Sequence, residues 1–358
     1  MTTDNNSKKT VTVKLNCMGD LVRFTKDKPK ACVKVVINFT DLSFLASELG
    51  DSVDELNNPD LNINDWDVSK VVLMNETFAG AHEFNQPLDK WDVSKVEDMA
   101  YMFSGAHKFN QPLNDWDVSS VTDMKGMFWE NTQFNQPLDK WDVSKVQSMA
   151  SMFWEAKSFN QALNDWDVSN VREMHRMFVR ATSFNQPLAS WNVSRVRNMR
   201  GMFECALDFN QPLNDWDVSN VCDMERMFMW AKCFNQPLDK WNTLNVKNTS
   251  YMFRDAHAFN QPIGMWDTSN VTTMEWMFWD ALSFNQPLNN WDVSKVSDMR
   301  GMFAGAESFN QPLNNWDVSN VTYMCSIFLG VGKVTQESAR GWNAIACVDI
   351  GGMFGEGY

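Results

Sequence analysis

Residues 84–103 read FNQPLDKWDVSKVEDMAYMF, and residues 109–128 read FNQPLNDWDVSSVTDMKGMF. Outward from this pair the same stretch recurs along the chain. Its Trp stands at 66, 91, 116, 141, 166, 191, 216, 241, 266, 291 and 316, a spacing of 25 with no insertion or deletion. The common pattern is FNQPLxxWDVSxVxxMxxMFxxA. Fixed-period self-similarity of this kind is the mark of a repeat architecture, in which each copy buries its apolar side only against its neighbours. The excess of 17 Trp, 25 Phe and 24 Met in 358 residues follows from copying one unit many times.

Within one copy the apolar residues are Phe84, Leu88, Trp91, Val93, Val96, Met99, Met102 and Phe103. Alternation at Trp91 and Val93 predicts a short strand with both residues inward and Asp92 and Ser94 outward. The i, i+3, i+4 spacing of Met99, Met102 and Phe103 predicts a short helical turn facing the same core. Pro87, which has no N–H for a ladder, belongs to a corner. The expected fold is a leucine-rich-repeat-like solenoid with one short parallel β-strand and one short helical turn per 25-residue coil. Aromatic and Met columns fill its core. The Asn of FNQ, from Asn85 to Asn310, predicts a structural ladder, because an amide both donates and accepts at a corner where backbone groups lack partners.

Residues 1–60 precede the first copy. TVTVKL and ACVKVVINF read as strands, and the spacing of Leu42, Leu45, Leu49 and Val53 reads as a helix. They form either a cap over the first coil or a small independent domain. Residues 61–330 hold the eleven repeats. Residues 331–358 contain a degraded twelfth copy, Trp342 to Phe354, and close the solenoid as a C-terminal cap.

The pattern resembles the BspA-like leucine-rich repeats, in particular the mycoplasma-type subfamily with the hallmark FNQxLxxWDVSxVxxMxxMF, over residues 64–328. The resemblance implies a solenoid of the kind found on surface or secreted proteins that mediate adhesion, with no catalytic residues. The opening MTTDNNSKKTVTVKLNC departs from the subfamily, since it has neither the apolar core of a signal peptide nor a lipobox around Cys17. Sequence alone therefore predicts a cytoplasmic chain, whereas the resemblance implies the cell surface or secretion. No run of about eighteen apolar residues is present to span a membrane. The seven Cys are odd in number and scattered, which is neither a disulfide framework nor a zinc site.

The net charge is −14. Residues 1–40 carry eight basic and three acidic side chains, so the remainder holds −19. An acidic body repels phosphate backbones, which argues against nucleic acid as a partner. No phosphate-cradling loop, Ser/His/Asp set or HExxH is present. Because every coil repeats the same groups, no single pocket is set apart for catalysis. An enzyme is not expected, nor a cofactor or a resident metal.

Two sets of residues stand out as candidate ligand-binding positions. The first is the acidic column Asp92, Asp117, Asp142, Asp167, Asp217, Asp267, Asp292 and Asp317, with Asp67 ahead of it and Asn192 and Asn242 interrupting it. It is either a row of turn residues satisfied by local N–H groups or a row of oxygens for cations or a periodic polymer. The second set is Trp129, Trp154 and Trp279, which lie outside the core register together with Trp230 and Trp276. They either face solvent as interface anchors or tuck against the coil. Copies around Asn242-Thr243-Leu244 and Thr249 are the least regular, marking a kink or a partner site. Three functions follow: a monomeric scaffold binding another protein, an ion- or polymer-binding array, or a structural spacer. The resemblance favours the first.

Overall fold

The computed structural model describes residues 11–27, 33–331 and 342. Valine- and isoleucine-rich segments at the start form two strands, β1 (Val11–Leu15) and β2 (Val33–Ile37), paired in parallel with Val11 opposite Val33. Parallel pairing needs a crossover, and helix α1 (Met18–Lys26) provides it, burying Leu21 and Thr25. The sequence reading assigned no helix here, although Met18, Leu21, Val22 and Thr25 follow the i, i+3, i+4, i+7 spacing of one helical face. The helix expected after Ile37 is divided: α2 (Leu45–Leu49) stops at Gly50, whose φ of 55° no β-carbon obstructs, and a 3-10 helix continues over Gly50–Asn57. This N-terminal unit continues directly into the repeats. Ile37 N–H donates to the Asp67 carbonyl and Asp67 N–H to that of Val35.

From there the chain is a repeat solenoid whose coils stack through parallel bridges 25 residues apart. They run from Leu73–Asp98 through Asp98–Asp123 to Asp298–Tyr323. The bridging residue is the one before the first Met, so the expected strand at W-x-V is corrected. Trp91 N–H turns back to the Leu88 carbonyl and Val96 N–H to that of Val93, so this segment is two successive turns. The indole takes over the cross-coil role: Trp116 Nε1 donates to the Leu88 carbonyl of the preceding coil at 2.9 Å, and the same bond recurs from Trp91 to Trp316. The Trp side chains are only 2–4% exposed, so an unpaired indole N–H there would carry a desolvation cost.

The expected helical turn at M-x-x-M-F is corrected as well. Met99, Tyr101, Phe103 and Gly105 donate their N–H groups to the next coil, at Asp123, Lys125, Met127 and Trp129. Met102, Ser104 and Ala106 donate three residues back within their own coil. This alternation requires left-handed backbone at two columns, exemplified by Tyr101 (φ 56°) and Gly105 (φ 68°), and repeated from Glu76 and Gly80 to Ser326 and Gly330. A helix cannot form where every fourth residue reverses hand.

The core is continuous. In each coil the Phe of M-F stacks on the Phe of FNQ, as Phe103 on Phe109 at 4.1 Å, and each column stacks across coils. Equivalent rings in successive coils are displaced by the local inter-coil step. That step is 4.7 Å for Trp129 and Trp154 on the ladder side, 5.7 Å for Phe103 and Phe128, and 6.3 Å for Trp141 and Trp166. The coils therefore splay away from the backbone ladder, which lies on the inside of the curve.

The corner Asn residues form the expected ladder, although the corner is partly exposed rather than buried. Asn110 N–H donates to Asn85 Oδ1 at 3.0 Å, the bond repeats as far as Asn310, and Gln111 Nε2 adds a second donor to the same oxygen. The irregular copies produce no kink. Thr243, Thr249 and Thr268, in place of Val or Met, donate their hydroxyls to carbonyls of the next coil, and the bridges pass through Asn248 and Thr273 uninterrupted. The C-terminal cap expected over 331–358 lies outside the described residues, except for Val331 and Trp342. The indole of Trp342 stacks on Trp316 at 5.9 Å and donates to the Leu313 carbonyl.

Candidate functional site

Five columns on the ladder side vary from coil to coil while the core columns between them hardly change. They are the residue before the first Met, the two between the Mets, and the two after the Phe. In the third coil these are Asp123, Lys125, Gly126, Trp129 and Glu130. Their side chains leave the ladder outward, because Met124, Met127 and Phe128 take the inward directions.

Aromatic and arginine side chains gather in these columns. Trp129 and Trp154 stack at 4.7 Å, Tyr101 leans on Trp129 at 5.8 Å, and the Arg176 guanidinium lies 5.3 Å over Trp154. A second group lies four coils on. Arg254 sits 3.8 Å over Trp279 and 5.8 Å from Tyr251, Trp276 packs on Trp279 at 4.6 Å, and Arg254 Nε pairs with Asp255 at 3.1 Å. The three Trp singled out in the sequence are thus half-buried, neither free in solvent nor part of the core. They lie in two separate clusters, with Trp230 under Lys232 between them.

Between the clusters lies Glu204, among Arg176, Arg180, Arg200 and Arg226. Burial pushes its carboxyl above the usual range against the pull of those four cations. Arg200 and Arg226 both approach Glu225, at 2.9 and 3.2 Å, yet the Nε of each is buried without a hydrogen-bond acceptor in line. Tyr101, Arg176, Arg226, Tyr251 and Arg254 escaped the sequence reading, which singled out only Trp. Aligning the 25-residue copies by column would have shown that all five share the columns of the extra Trp residues.

The acidic column is elsewhere on the coil, in the turn after the core Trp, and no contact joins it to the aromatic clusters. Ser144 N–H donates to Asp142 Oδ1 at 3.0 Å, and the same bond to the first carboxylate oxygen occurs from Ser69 to Ser319. The Ser144 hydrogen bonds hold the Asp142 carboxyl below the usual range. Asn192 and Asn242 make the same bond to Ser194 and Leu244, at 3.2 Å each. The turn needs an oxygen acceptor and not a charge. Among the described residues no group of three or more His, Cys, Asp or Glu is placed to hold a metal ion. Asp142→Asn is expected to change unfolding stability by a few tenths of a kcal/mol, and Asp142→Ala to lower it by about 1 kcal/mol, as for loss of a cap. Denaturant titration measures both, and equal losses for the two variants would show that charge matters.

Depressions on the surface are shallow. One of about 620 Å³ lies where β2 meets the first coils, lined by Lys34, Asp65, Asp67, Lys90 and Asp92 among others. Another of about 530 Å³ lies at the edge of the variable face, lined by Arg172, Glu173, Ser194, Arg195, Arg197 and Asn220. No helix among the described residues is long and apolar enough to cross a membrane.

Five overlapping segments, residues 47–165, 133–238, 159–264, 211–311 and 260–357, match the family described as "Mycoplasma protein of unknown function, DUF285". No curated protein matches the chain. A solved structure described as "Crystal structure of TLR13-ssRNA13 complex" is similar at 11% identity and a TM-score of 0.24, over 88% of this chain and 46% of that one. The chain thus spans less than half of that protein, and so loose a superposition says nothing about a ligand here.

Proposed function

Since the chain belongs to the DUF285 family of mycoplasma proteins of unknown function, we propose that it is a non-catalytic scaffold that binds another protein through the variable face inside its curve. The supporting observation is that these five outward columns vary over an almost constant core and hold every Trp and Tyr of residues 61–330 that lies outside the core Trp column. A structural spacer needs no such variation, and a periodic array needs the reverse, identical groups in every coil. The groups concentrated there are Trp, Tyr and Arg, the side chains that most often dominate binding energy at protein interfaces. The stacked rings and paired guanidiniums hold one another in place, which lowers the entropy cost of docking. Adhesion or contact at a cell surface is the setting we assign to this activity, and the chain acts as a monomer.

The acidic column is the second candidate binding surface. Its first oxygens are engaged in every turn, which supports a role in shaping the coil. The test is affinity capture of partners by the full chain against two triple variants. Trp129→Ala/Trp154→Ala/Trp279→Ala is expected to lose the captured protein. Asp142→Asn/Asp167→Asn/Asp217→Asn is expected to retain it. The opposite pattern would transfer the activity to the acidic column, and thermal unfolding checks that both variants are folded.

A further inference from the structure

We propose that the edge of the variable face between Lys145 and Asn220 is a groove for a short carboxylate-rich segment of the partner polypeptide. The proposal rests on the reading of this face as protein-binding and names the chemistry recognised there. Two depressions adjoin and share Arg172. One is lined by Thr122, Lys145, Gln147, Asn170 and Arg172, and the other by Arg172, Glu173, Ser194, Arg195, Arg197 and Asn220. Four cations therefore line one groove with a single carboxylate, in a chain of net charge −14.

The three arginines of the groove are not neutralised by the protein itself, while Lys145 lies within electrostatic reach of Asp142. Among the described residues, Arg172 and Arg197 form no ion pair, and Arg195 donates only to the Asn170 amide oxygen. Elsewhere on the face arginines are paired, as Arg180 with Glu155 and Arg300 with Asp298 and Glu275. Stacked at the inter-coil spacing, unpaired guanidiniums repel one another, and a row of carboxylates relieves that repulsion through forked hydrogen bonds. Asn170 and Asn220 are themselves fixed, each donating to a serine carbonyl of the preceding coil, at 2.6 and 2.8 Å. They hold the floor of the groove in one shape.

The groove's length selects the occupant. It spans four coils, about 15 Å at the spacing of parallel strands, which is four to five residues of extended chain. The column of Arg172 and Arg197 runs back to Glu97 on one side and on to Cys222 and Lys247 on the other, and the column of Glu173 carries Asp98, Asp123 and Asp223. A short acidic motif ends before those carboxylates, whereas a polynucleotide would carry its phosphates on into them. The nearest rings also offer no open face for base stacking, because Trp154 is covered by Trp129 on one side and Arg176 on the other.

The experiment is fluorescence anisotropy with the full chain and labelled hexaglutamate, against hexaglutamine and a twelve-nucleotide oligothymidylate. We expect hexaglutamate to bind more tightly than either control, and to weaken as salt screens the contact. Arg172→Ala/Arg197→Ala should weaken it by roughly tenfold or more, the loss of charge-assisted hydrogen bonds. Arg172→Lys/Arg197→Lys should recover part of the affinity, and its folding serves as control. Equal binding of hexaglutamate and hexaglutamine overturns the proposal, as does an unchanged affinity in the alanine variant. Tighter binding of the oligonucleotide also overturns it, in favour of a nucleic-acid surface. If hexaglutamate fails while protein capture still depends on Trp129, Trp154 and Trp279, only this groove is refuted and the scaffold reading stands.

Discussion

Phe178→Ala is expected to lower the unfolding free energy by about 3–5 kcal/mol, the usual cost of emptying a buried aromatic site. Phe178 is fully buried and stacks on Phe153 at 5.6 Å, Phe203 at 5.7 Å and Phe184 at 4.1 Å, with Trp191 at 6.5 Å. Each neighbour is held by the next coil's bridges, so the walls have little freedom to collapse into the void. In a solenoid each coil touches only its neighbours, and no distant contact compensates for a weakened interface. The loss therefore falls near the middle of the stack. We expect the urea transition, followed by tryptophan fluorescence, to move to lower denaturant and to broaden as the two halves begin to unfold separately. A loss below about 1 kcal/mol would mean that the column closes over the gap, contrary to the packing described.

Gly301→Ala is the second large effect, and its cause is different. A β-carbon on Gly301 would lie 1.9 Å from Cζ3 and 2.0 Å from Cε3 of Trp276, at a backbone φ of 54°. The left-handed conformation alone costs a non-glycine residue about 1–2 kcal/mol. Moving the indole disturbs its contact with Trp279 as well, and we expect a total of about 2–4 kcal/mol. In a Trp276→Ala background the clash disappears, and only the backbone cost of about 1–2 kcal/mol should remain. A double-mutant cycle separates the two contributions, and strictly additive effects would rule out the clash as the cause. Gly126, whose β-carbon would meet the Tyr101 ring at 2.3 Å, is built the same way.

Much of this architecture could be read from the period alone. The inward residues from Phe84 to Phe103 and the amide ladder from Asn85 follow from apolar spacing and from the donor and acceptor capacity of Asn. The backbone path did not follow, because W-x-V alternates like a strand while its Trp places an indole N–H where a backbone donor would otherwise serve. M-x-x-M-F has helical spacing, but its hydrogen bonds run alternately along and across the coil, and apolar periodicity does not encode that. At the candidate site, Trp129, Trp154 and Trp279 were legible as residues outside the core register. Their partners Arg176 and Arg254 were not, since a single Arg in one copy carries no signal until the copies are aligned by column and stacked in space. The acidic column drew attention by its constancy. Constancy in a repeat marks what every coil needs, and here that is an oxygen acceptor for the turn.

The two residues ahead of the core Trp alternate over the first five coils, and again in the seventh and eighth, in a way that bears on how such a chain lengthens. Asn64-Asp65 faces Asp89-Lys90, Asn114-Asp115 faces Asp139-Lys140, and Asn214-Asp215 faces Asp239-Lys240. Each pair is joined by an amide on a carboxylate, at 2.8 to 3.0 Å, and by a lysine on the other carboxylate, at 2.6 to 2.7 Å. Odd and even coils are therefore not equivalent. Excising the third coil alone would set Lys90 against Lys140, while excising the third and fourth together would leave Asp89-Lys90 beside Asn164-Asp165, a neighbour of the kind it already has. Each surface pair is worth only a fraction of a kcal/mol, but the bias has the same sign at all three of these junctions. Around these coils, gain or loss of two coils, fifty residues, thus keeps the charge pairing, whereas gain or loss of a single coil sets like charges side by side.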